Sequence, residues 1–548
     1  MTTRARTGPL VEPEPMAFLE NVAALLTTNP FSPAWVSRVH ACLGDRFLPC
    51  LPVWCSRNVE LDDNHRLLGE RLWELLPGIR NRLRDGFAAT GRERAIYQSA
   101  AILAIYGAFA RRLGEIVVEN GVKVPFWGQL EKLHTEMLAI KGLDAPPAED
   151  LLGLFYQAYR CWYFPFTLIP GAAPLTARAR AAIVEASLGK DVVSTYRQGL
   201  WRTMAEQPVL VLGETGTGKE LAGKCLAGGR FIPFDKATRR FAAAPLAGYH
   251  VVNLSDASDQ LFDAELCGNV RGAFTGATED RPGYLGLAEG GGTLVFDEFG
   301  DIGAAIQGKL LRPVENRVYR RVGDSETRPF QGRFVFSTNK DLAALVRRGK
   351  FREDLYTRVN VLRIVMPPLR RILREAPDER REYVHGFVVE TLPQSPETWD
   401  GWAYRIEADI ARRKGGDAWR GNLRELRNYV RSCILSSRLV SETRDGAPDT
   451  GQEPGSLVAS SDRRGPGSES RRGRGRESER PAGERMLGPD AMTSGMSLDD
   501  WNRYVVSRMY VVTGRNQSET ARRLGISWRR AGMWIDQALL ARWAAEGV

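Results

Sequence analysis

The segment PVLVLGETGTGKE, residues 208–220, places a glycine-rich turn directly after a short apolar run. The apolar run has the length and the β-branched content of a buried strand. Glycines in the turn let the backbone point successive N–H groups at phosphate oxygens, and Lys219 follows where it can reach the β- and γ-phosphates. The next stretch, LAGKCLA, continues as a helix whose N-terminal dipole faces the same anion. We therefore predict a nucleotide-binding loop formed by Gly213, Glu214, Thr215, Gly216, Thr217, Gly218, Lys219 and Glu220.

Three further apolar runs also end in polar or glycine residues: GYHVVNL (248–254), GGTLVFDE (291–298) and GRFVFSTN (332–339). Each predicts a buried parallel strand, and helical stretches separate them along the chain. Such alternation predicts an α/β sheet that binds its ligand at the carboxyl ends of the strands.

Polar side chains follow two of these predicted strands. Asp297 and Glu298 come after one strand, and we expect Asp297 to hold a metal ion and Glu298 to polarise an attacking water. Thr338 and Asn339 end another strand and suit the sensing of a γ-phosphate. The alternative is that the acidic pair ends its strand in solvent, and the glycine-rich turn makes this alternative the weaker one.

Three arginines beyond the strands are candidates for contact with nucleotide. Arg352 and Arg358 lie in KFREDLYTRVN, and in isolation both are best read as surface charges. In a nucleotide-hydrolysing protein they become candidate arginine fingers, which act in trans only in a ring of subunits. Arg424, in WRGNLRELRN, is expected on a helix of a lid above the phosphates.

Composition bounds the class of protein. The chain has 548 residues, 43% of them hydrophobic and 26% charged, so most of it is expected to fold into several domains. Its formal charge of +10 permits a nucleic-acid partner. The seven cysteines form no C-x-x-C pair, which disfavours a zinc site and favours a reducing compartment. No signal peptide and no membrane-spanning run is recognised, so we expect a cytoplasmic protein without membrane association.

The composition and the apolar pattern of the sequence change along the chain. Residues 1–175 read as a helical N-terminal domain that packs or binds a partner, with a hidden catalytic site as the weaker alternative. Residues 176–366 carry the strands, and residues 367–440 read as a helical lid. The Gly-, Ser- and Arg-rich stretch 441–495 predicts a disordered linker, and 496–548 a last small domain.

NVRGAFTGATED, residues 269–280, surrounds a single aromatic residue, Phe274, with Gly, Ala and Thr. No alternation suggests a buried strand, so the ring is expected on an exposed and adaptable loop. Without nucleotide motifs on either side, an ordinary glycine-rich surface loop would be the preferred interpretation.

Together these motifs resemble the AAA+ ATPase domain of bacterial enhancer-binding proteins, the activators of sigma-54 RNA polymerase. The resemblance covers about residues 181–440. GETGTGKE has this family's form of the phosphate loop, with Glu220 where a Ser or Thr usually binds Mg²⁺, and GAFTGA is the family's signature. The chain departs from the family at Gly286, where Glu is usual, and at ILREAPDERREY, which replaces an acidic continuation.

The resemblance implies an α/β P-loop AAA+ domain with a helical lid, which hydrolyses ATP with Mg²⁺ and forms a ring, with six subunits expected. It implies that Asn253, in VVNLSD, relays the γ-phosphate state to the GAFTGA loop, that Arg352 and Arg358 act from the neighbouring subunit, and that Arg424 is the second sensor. It also implies a contact with the sigma-54 RNA polymerase holoenzyme through Gly272, Ala273, Phe274, Thr275, Gly276 and Ala277.

The C-terminal segment TGRNQSETARRLGISWRRAGMWIDQALL reads as helix, tight turn, helix. It is similar to the Fis-type helix-turn-helix of enhancer-binding proteins, which implies binding to double-stranded enhancer DNA. A helical hairpin for oligomerisation is the alternative. The residues expected to face DNA are Trp528, Arg529, Arg530, Met533 and Trp534.

We therefore expect an ATP-driven transcriptional activator with a small C-terminal helix-turn-helix and an all-α N-terminal domain that senses an unidentified signal. Two alternatives stay open at this point. One is an AAA+ remodelling enzyme that acts on another protein or on DNA, and the other is a DNA-binding repressor whose ATPase is vestigial.

Overall fold

The computed structural model describes residues 10–48, 63–190, 195, 198–256, 259, 261–395, 398–412 and 419–436, with single positions at 507, 510, 517, 535, 537 and 540. The predicted linker, residues 441–495, and the five residues predicted to face DNA lie outside the described residues. No helix within the described ranges is long and apolar enough to cross a membrane.

The N-terminal region is helical, as its sequence predicts. Leu68, Leu72 and Leu76, spaced four apart, are all buried, so the apolar stripe faces a core as expected. The longest helix begins with a capping box, in which Thr90 and Glu93 bond to each other's backbone N–H groups. The helices are α1 (Pro13–Leu25), α2 (Pro33–Leu43), α3 (Asp63–Arg84), α4 (Gly91–Val118), α5 (Trp127–Leu138), α6 (Ala148–Leu168) and α7 (Pro174–Leu188).

A five-stranded parallel sheet forms the centre of the next region. All four predicted strands are confirmed, as β1 (Val209–Leu212), β4 (Tyr249–Asn253), β7 (Thr293–Asp297) and β10 (Arg333–Thr338). A fifth strand, β11 (Leu362–Val365), was not predicted, because its residues alternate between exposed and buried at the sheet edge. The strand order is β11-β1-β10-β7-β4. The carboxyl ends of β1, β10 and β7 are therefore adjacent.

Helices connect these strands and cover the sheet. Between β1 and β7 lie α9 (Lys219–Gly228), α10 (Phe262–Cys267) and α11 (Tyr284–Leu287), and α8 (Leu200–Glu206) precedes β1. Beyond β7 lie α12 (Ala304–Asn316), α13 (Leu342–Arg347) and α14 (Glu353–Val359). Three short antiparallel pairs project from this region: β2 (Phe234–Asp235) with β3 (Arg240–Phe241), β5 (Gly268–Asn269) with β6 (Arg281–Pro282), and β8 (Val318–Tyr319) with β9 (Arg328–Pro329).

A helical lid follows the sheet, as predicted. It consists of α15 (Leu369–Glu375), α16 (Glu379–Thr391), α17 (Trp399–Arg412) and α18 (Asn422–Leu435). These helices share an apolar core that includes Tyr383, Ile406 and Leu426.

The predicted boundary at residues 175 and 176 falls inside α7. Leu175 packs into the core of the lid, whereas Ile183 and Ala186 pack under the sheet. This single helix therefore joins three parts of the chain that the sequence pattern treats as separate domains.

Candidate nucleotide site and surface loop

The glycine-rich turn lies between the end of β1 and the start of α9. Gly216 (φ +80°) and Gly218 (φ +92°) both adopt the left-handed conformation that favours glycine. A Cβ atom on Gly213 would lie 2.8 Å from Thr217 Oγ1 and 3.0 Å from the Met366 carbonyl oxygen, so the first glycine is required for close approach. The turn and the first N–H groups of α9 form the kind of cradle that binds phosphate.

Lys219 is buried at the start of α9, and its Nζ donates to the Glu214 carbonyl oxygen at 3.4 Å. Burial lowers the pKa of the Lys219 ammonium, and the nearby carboxylates of Glu298 and Asp297 act in the opposite direction. The positive charge of Arg424 also lowers this pKa. The fold thus brings a lysine, two carboxylates and a lid arginine, all named from the sequence, into one electrostatic environment.

The acidic pair lies at the carboxyl end of β7, an interior strand of the sheet. Ser337, buried on β10, donates a hydrogen bond to Asp297 Oδ1 and leaves Oδ2 for another ligand. Glu298 adopts a left-handed conformation (φ +53°), which is unusual for a residue with a side chain and is typical of functional sites. Its Oε2 is buried and accepts no hydrogen bond from any described residue. An unsatisfied buried carboxylate oxygen is suited to bind a water or a metal-bound water.

Thr338, the last residue of β10, and Asn339, which follows it, make different contacts. Asn339 Nδ2 donates to Thr215 Oγ1 in the phosphate loop at 3.1 Å, so its amide faces the predicted nucleotide. Thr338 is fully buried, and its hydroxyl accepts from the Gly300 and Lys340 N–H groups at 3.2 and 3.1 Å. The Thr338 side chain therefore holds the turn after Glu298. Direct γ-phosphate sensing by Thr338 stays a prediction.

The lid reaches the phosphate loop through residues that the sequence analysis did not single out. The Arg370 guanidinium donates two hydrogen bonds to the Glu214 carboxylate, at 2.5 Å each. Asn422, fully buried, donates from Nδ2 to the Thr215 carbonyl oxygen at 3.0 Å and to Glu214 Oε2 at 3.3 Å. Asn422 lies in WRGNLRELRN, the segment that contains Arg424, and Arg370 lies at the start of α15.

Arg424, on the first turn of α18, lies over the same loop. A Cβ atom on Gly216 would lie 2.1 Å from the Gly421 carbonyl oxygen and 3.0 Å from Arg424 Cβ. This geometry agrees with the predicted position above the phosphates. The role of Arg424 as second sensor stays a prediction.

The two candidate arginine fingers lie on the surface. Arg352 makes a two-point ion pair with Asp354, at 3.1 and 2.7 Å, which raises the pKa of its guanidinium. Arg358 Nη2 lies 2.6 Å from Glu315 Oε1. Both are about half-exposed, so within one subunit they pair with carboxylates on their own surface.

Asn253 ends β4 beside Asp297, its register partner on β7. Its Oδ1 accepts hydrogen bonds from the N–H group and the hydroxyl of Ser255, at 3.2 and 2.8 Å. Asn253 is therefore next to the acidic pair, as a switch residue would be, and the relay itself stays a prediction.

The segment Gly272–Ala277, called here the surface loop, lies at the tip of the β5–β6 pair. Gly272 N donates to the Ala277 carbonyl oxygen at 2.8 Å, and Ala277 N donates to the Phe274 carbonyl oxygen at 3.0 Å, which closes a compact turn. Gly272 (φ +80°) and Gly276 (φ +101°) are left-handed. Phe274 is 42% exposed, so the aromatic ring stands on the surface as the sequence predicts.

The β8–β9 pair supports the base of the surface loop. Val270 N donates to the Val322 carbonyl oxygen at 3.0 Å, and a Cβ atom on Gly323 would lie 2.7 Å from Ala273 Cβ. Near Gly286, the unusual position noted in the sequence, Tyr319 donates a hydrogen bond to the Glu289 carboxylate. A Cβ atom on Gly286 would lie 3.4 Å from the Tyr319 hydroxyl, an ordinary van der Waals contact, so the packing does not require glycine at this position.

Residues 189–365 match the protein family described as the Sigma-54 interaction domain. The Nif-specific regulatory protein of Klebsiella oxytoca is 35% identical over 299 residues, which cover 53% of this chain and 53% of that protein. The alginate biosynthesis transcriptional regulatory protein AlgB of Pseudomonas aeruginosa is 37% identical over 236 residues, which cover 42% of this chain and 47% of AlgB. The chain spans about half the length of the curated relatives it matches.

A crystal structure of NtrX from Brucella abortus in complex with ADP aligns with 82% of this chain and 86% of that chain. Its sequence identity is 16% and the TM-score is 0.36, so this alignment carries no argument about the site.

Proposed function

We propose that this chain, whose residues 189–365 belong to the Sigma-54 interaction domain family, is an ATP-hydrolysing activator that remodels sigma-54 RNA polymerase at promoters. The observation that carries the proposal is the joint placement of two features in one α/β region. The phosphate loop and the unsatisfied Glu298 carboxylate lie at strand ends of the five-stranded sheet, and the exposed aromatic loop lies in the connection between β4 and β7.

The phosphate loop and the lid would hold the nucleotide. Lys219 and the N–H groups at the start of α9 face the position of the β- and γ-phosphates. Asn339 and Arg424 approach the same place from β10 and from the lid. Because the lid bonds directly to Glu214 and Thr215, its position and the shape of the loop are expected to change together.

Glu298 is the proposed general base. In hydrolysis a water oxygen bonds to the γ-phosphorus, the bond from that phosphorus to the bridging oxygen breaks, and Glu298 accepts the proton of the water. The unsatisfied Oε2 and the strained backbone of Glu298 support this role. The carboxylate of Asp297 fits Mg²⁺, which when bound would neutralise charge on the phosphates.

Arg352 and Arg358 are proposed to complete the site of a neighbouring subunit in a ring. Among the described residues, each is paired with an exposed carboxylate of its own chain. Exposed ion pairs contribute little to stability, so either arginine can exchange its partner for a phosphate at small cost.

The surface loop is the proposed contact with sigma-54. Phe274 and Thr275 are exposed, and the loop connects β5 to β6. Along the chain, these two strands lie between Asn253, at the end of β4, and Glu298, which follows β7. Its left-handed glycines allow the turn to form without side-chain strain. We further propose that the C-terminal segment binds double-stranded enhancer DNA and that an unidentified signal acts on the N-terminal helices.

The test is capture of purified sigma-54 by the full-length protein with a transition-state nucleotide analogue. Thr275→Ala and Phe274→Ala each remove part of the proposed contact and are expected to lower capture at least about tenfold. A central aromatic contact contributes about 1–2 kcal/mol or more, which corresponds to a fold-change of this size. Thr278→Ala, an exposed threonine just outside the loop, is the matched control and should capture normally.

Normal capture by both loop variants would overturn the proposed sigma-54 contact. Absence of analogue-dependent capture by the unaltered protein would favour a remodelling enzyme with another target.

A further inference from the structure

The helix that begins with Lys219 is fixed at its other end by the N-terminal region. Three side chains of α6 bond to consecutive carbonyl oxygens where α9 ends. Arg160 Nη1 donates to the Gly228 carbonyl oxygen at 2.6 Å and its Nη2 to that of Arg230 at 2.9 Å. Gln157 Nε2 and Cys161 Sγ donate to the Gly229 carbonyl oxygen at 3.0 and 3.3 Å. The Gly228 carbonyl is one of the acceptors that the end of a helix leaves free, and the Gly229 and Arg230 carbonyls follow it directly.

Arg160 is fully buried, and its guanidinium also stacks over the Tyr156 ring at 4.2 Å. Among the described residues its hydrogen-bond partners are backbone carbonyls, without a carboxylate. Burial lowers its pKa to about 10, so it remains charged at neutral pH. The C-terminal end of a helix carries partial negative charge, which compensates the buried cation.

The packing between α6 and α9 leaves no room for sliding. A Cβ atom on Gly228 would lie 2.2 Å from the Phe164 ring, and one on Gly229 would lie 2.9 Å from Cys161 Sγ. On the α6 side, a Cβ atom on Gly153 would lie 2.9 Å from the Phe231 ring. Because close-packed interfaces transmit displacement, a shift of α6 must shift α9.

A second attachment follows immediately along the chain. The β2–β3 pair inserts into the N-terminal helices, where Phe241 N donates to the Val122 carbonyl oxygen at 2.8 Å. Val124 N donates to the Arg239 carbonyl oxygen at 3.0 Å. The rings of Tyr156 and Phe241 stack with centroids 3.7 Å apart. The end of α9 and the segment after it are thus both held by the same helical core.

We infer that Arg160 is a positioning residue for the phosphate site, through which the N-terminal helices set the axis of α9 and thereby the placement of Lys219. The inference rests on the proposed nucleotide-binding function. Helix α9 has ten residues and is about 15 Å long, short enough to act as a rigid rod between Arg160 and the phosphate loop. The N-terminal helices through α6 are therefore part of the nucleotide-binding unit.

The experiment compares full-length protein with Arg160→Met, Arg160→Lys and the control Arg111→Met, whose arginine is 92% exposed on α4. The readouts are the Kd of a fluorescent ATP analogue, the KM and kcat for ATP, the Tm, and deuterium uptake by the amides of residues 219–228.

Arg160→Met is expected to raise Kd and KM about tenfold, to change kcat about threefold or less, and to speed exchange at the start of α9. Arg160→Lys restores one charged donor and should stay within about threefold of the unaltered protein. Arg111→Met should match the unaltered protein. A folded Arg160→Met protein with unchanged Kd and unchanged exchange at residues 219–228 overturns the inference.

If Arg160→Met does not fold, Gln157→Met replaces it in the experiment. The Gln157→Met substitution removes the hydrogen bond to Gly229 without leaving a buried charge unpaired. A Kd increase of about threefold supports the inference, and an unchanged Kd overturns it. Lys219→Ala separates the two proposals. If it binds nucleotide normally, the proposed function fails; if it loses binding while Arg160→Met keeps it, only the inference about Arg160 fails.

Discussion

The phosphate loop (213–220) and the surface loop (272–277) both depend on left-handed glycines, but their surroundings are opposite. Gly216 and Gly276 have φ values of +80° and +101°. A Cβ atom on Gly216 would lie 2.1 Å from a carbonyl oxygen of the lid, whereas one on Gly276 would meet no atom within 4 Å. In the phosphate loop, both the left-handed backbone conformation and the close approach of the lid therefore require glycine. In the surface loop, only the backbone conformation requires it.

The contrast extends to the side chains. The phosphate loop is bonded to the lid by Arg370 and Asn422 and to β10 by Asn339. The surface loop is closed by its own backbone hydrogen bonds, is supported at its base by the β8–β9 pair, and exposes Phe274. A loop held from several sides is suited to bind and orient a small anion, and a loop supported only at its base, with an exposed ring, is suited to meet a large partner.

The largest expected effect separates the chemistry of the two regions. Glu298→Gln keeps the size of the side chain but cannot accept a proton, so kcat for ATP should fall about 10²- to 10⁴-fold while nucleotide still binds. Glu279→Gln makes the same change in an exposed carboxylate beside the surface loop and should leave kcat unchanged. Equal turnover in steady-state assays of the two variants would contradict the assignment of Glu298, whereas absence of turnover in the unaltered protein would favour a vestigial ATPase.

The next effect tests the two roles of glycine directly. Gly216→Ala combines left-handed strain with a clash against backbone, so the Kd of an ATP analogue should rise at least about 100-fold. Gly276→Ala has the strain without the clash, and its effect should be confined to sigma-54 capture. Isothermal titration calorimetry with the ATP analogue measures the Kd of Gly216→Ala and that of its matched control, Gly276→Ala. The contacts of the two loops indicate that they act independently. Loss of nucleotide affinity in Gly276→Ala would contradict that independence.

The smallest effect concerns the link between the lid and the phosphate loop. Arg370 lowers the pKa of the Glu214 carboxyl, so the ion pair is complete above the unperturbed pKa of Glu, near 4.3, and is lost as pH falls through the lowered value. Both partners are exposed. Arg370→Met should therefore weaken nucleotide binding only about two- to fivefold at neutral pH, and the difference from the unaltered protein should shrink on acidification.

Arg371→Met, in the neighbouring exposed arginine, is the control for this titration. A difference between the Arg370→Met and unaltered proteins that grows toward low pH would rule out the Glu214 contact as its cause.

Local sequence predicted the parts of the site that each lie within one short segment. Gly216, Gly218 and Lys219 come shortly after the apolar run of β1, and Asp297 and Glu298 come at the end of the buried run of β7. The strand β11 was missed because the exposed Arg363 interrupts its apolar residues, so it lacks the continuous apolar run that marks a buried strand.

Other residues that act across the fold were not predicted. Thr338 was singled out and Ser337 was not, yet successive side chains of a strand point to opposite faces, and Ser337 is the one that holds Asp297. Asn422 contacts Thr215 across 207 positions of sequence, a pairing that no local pattern encodes.

The sequence by itself determined the parallel sheet, its phosphate loop, the acidic pair and the exposed ring of Phe274, since each follows from short-range periodicity, glycine conformation and charge. Only the tertiary structure decided that α7 spans the expected domain boundary, that the lid bonds to the phosphate loop, and that Arg160 caps the helix of Lys219. The physical reason is that buried polar groups must find partners wherever the fold brings them, and those partners are chosen by proximity in space.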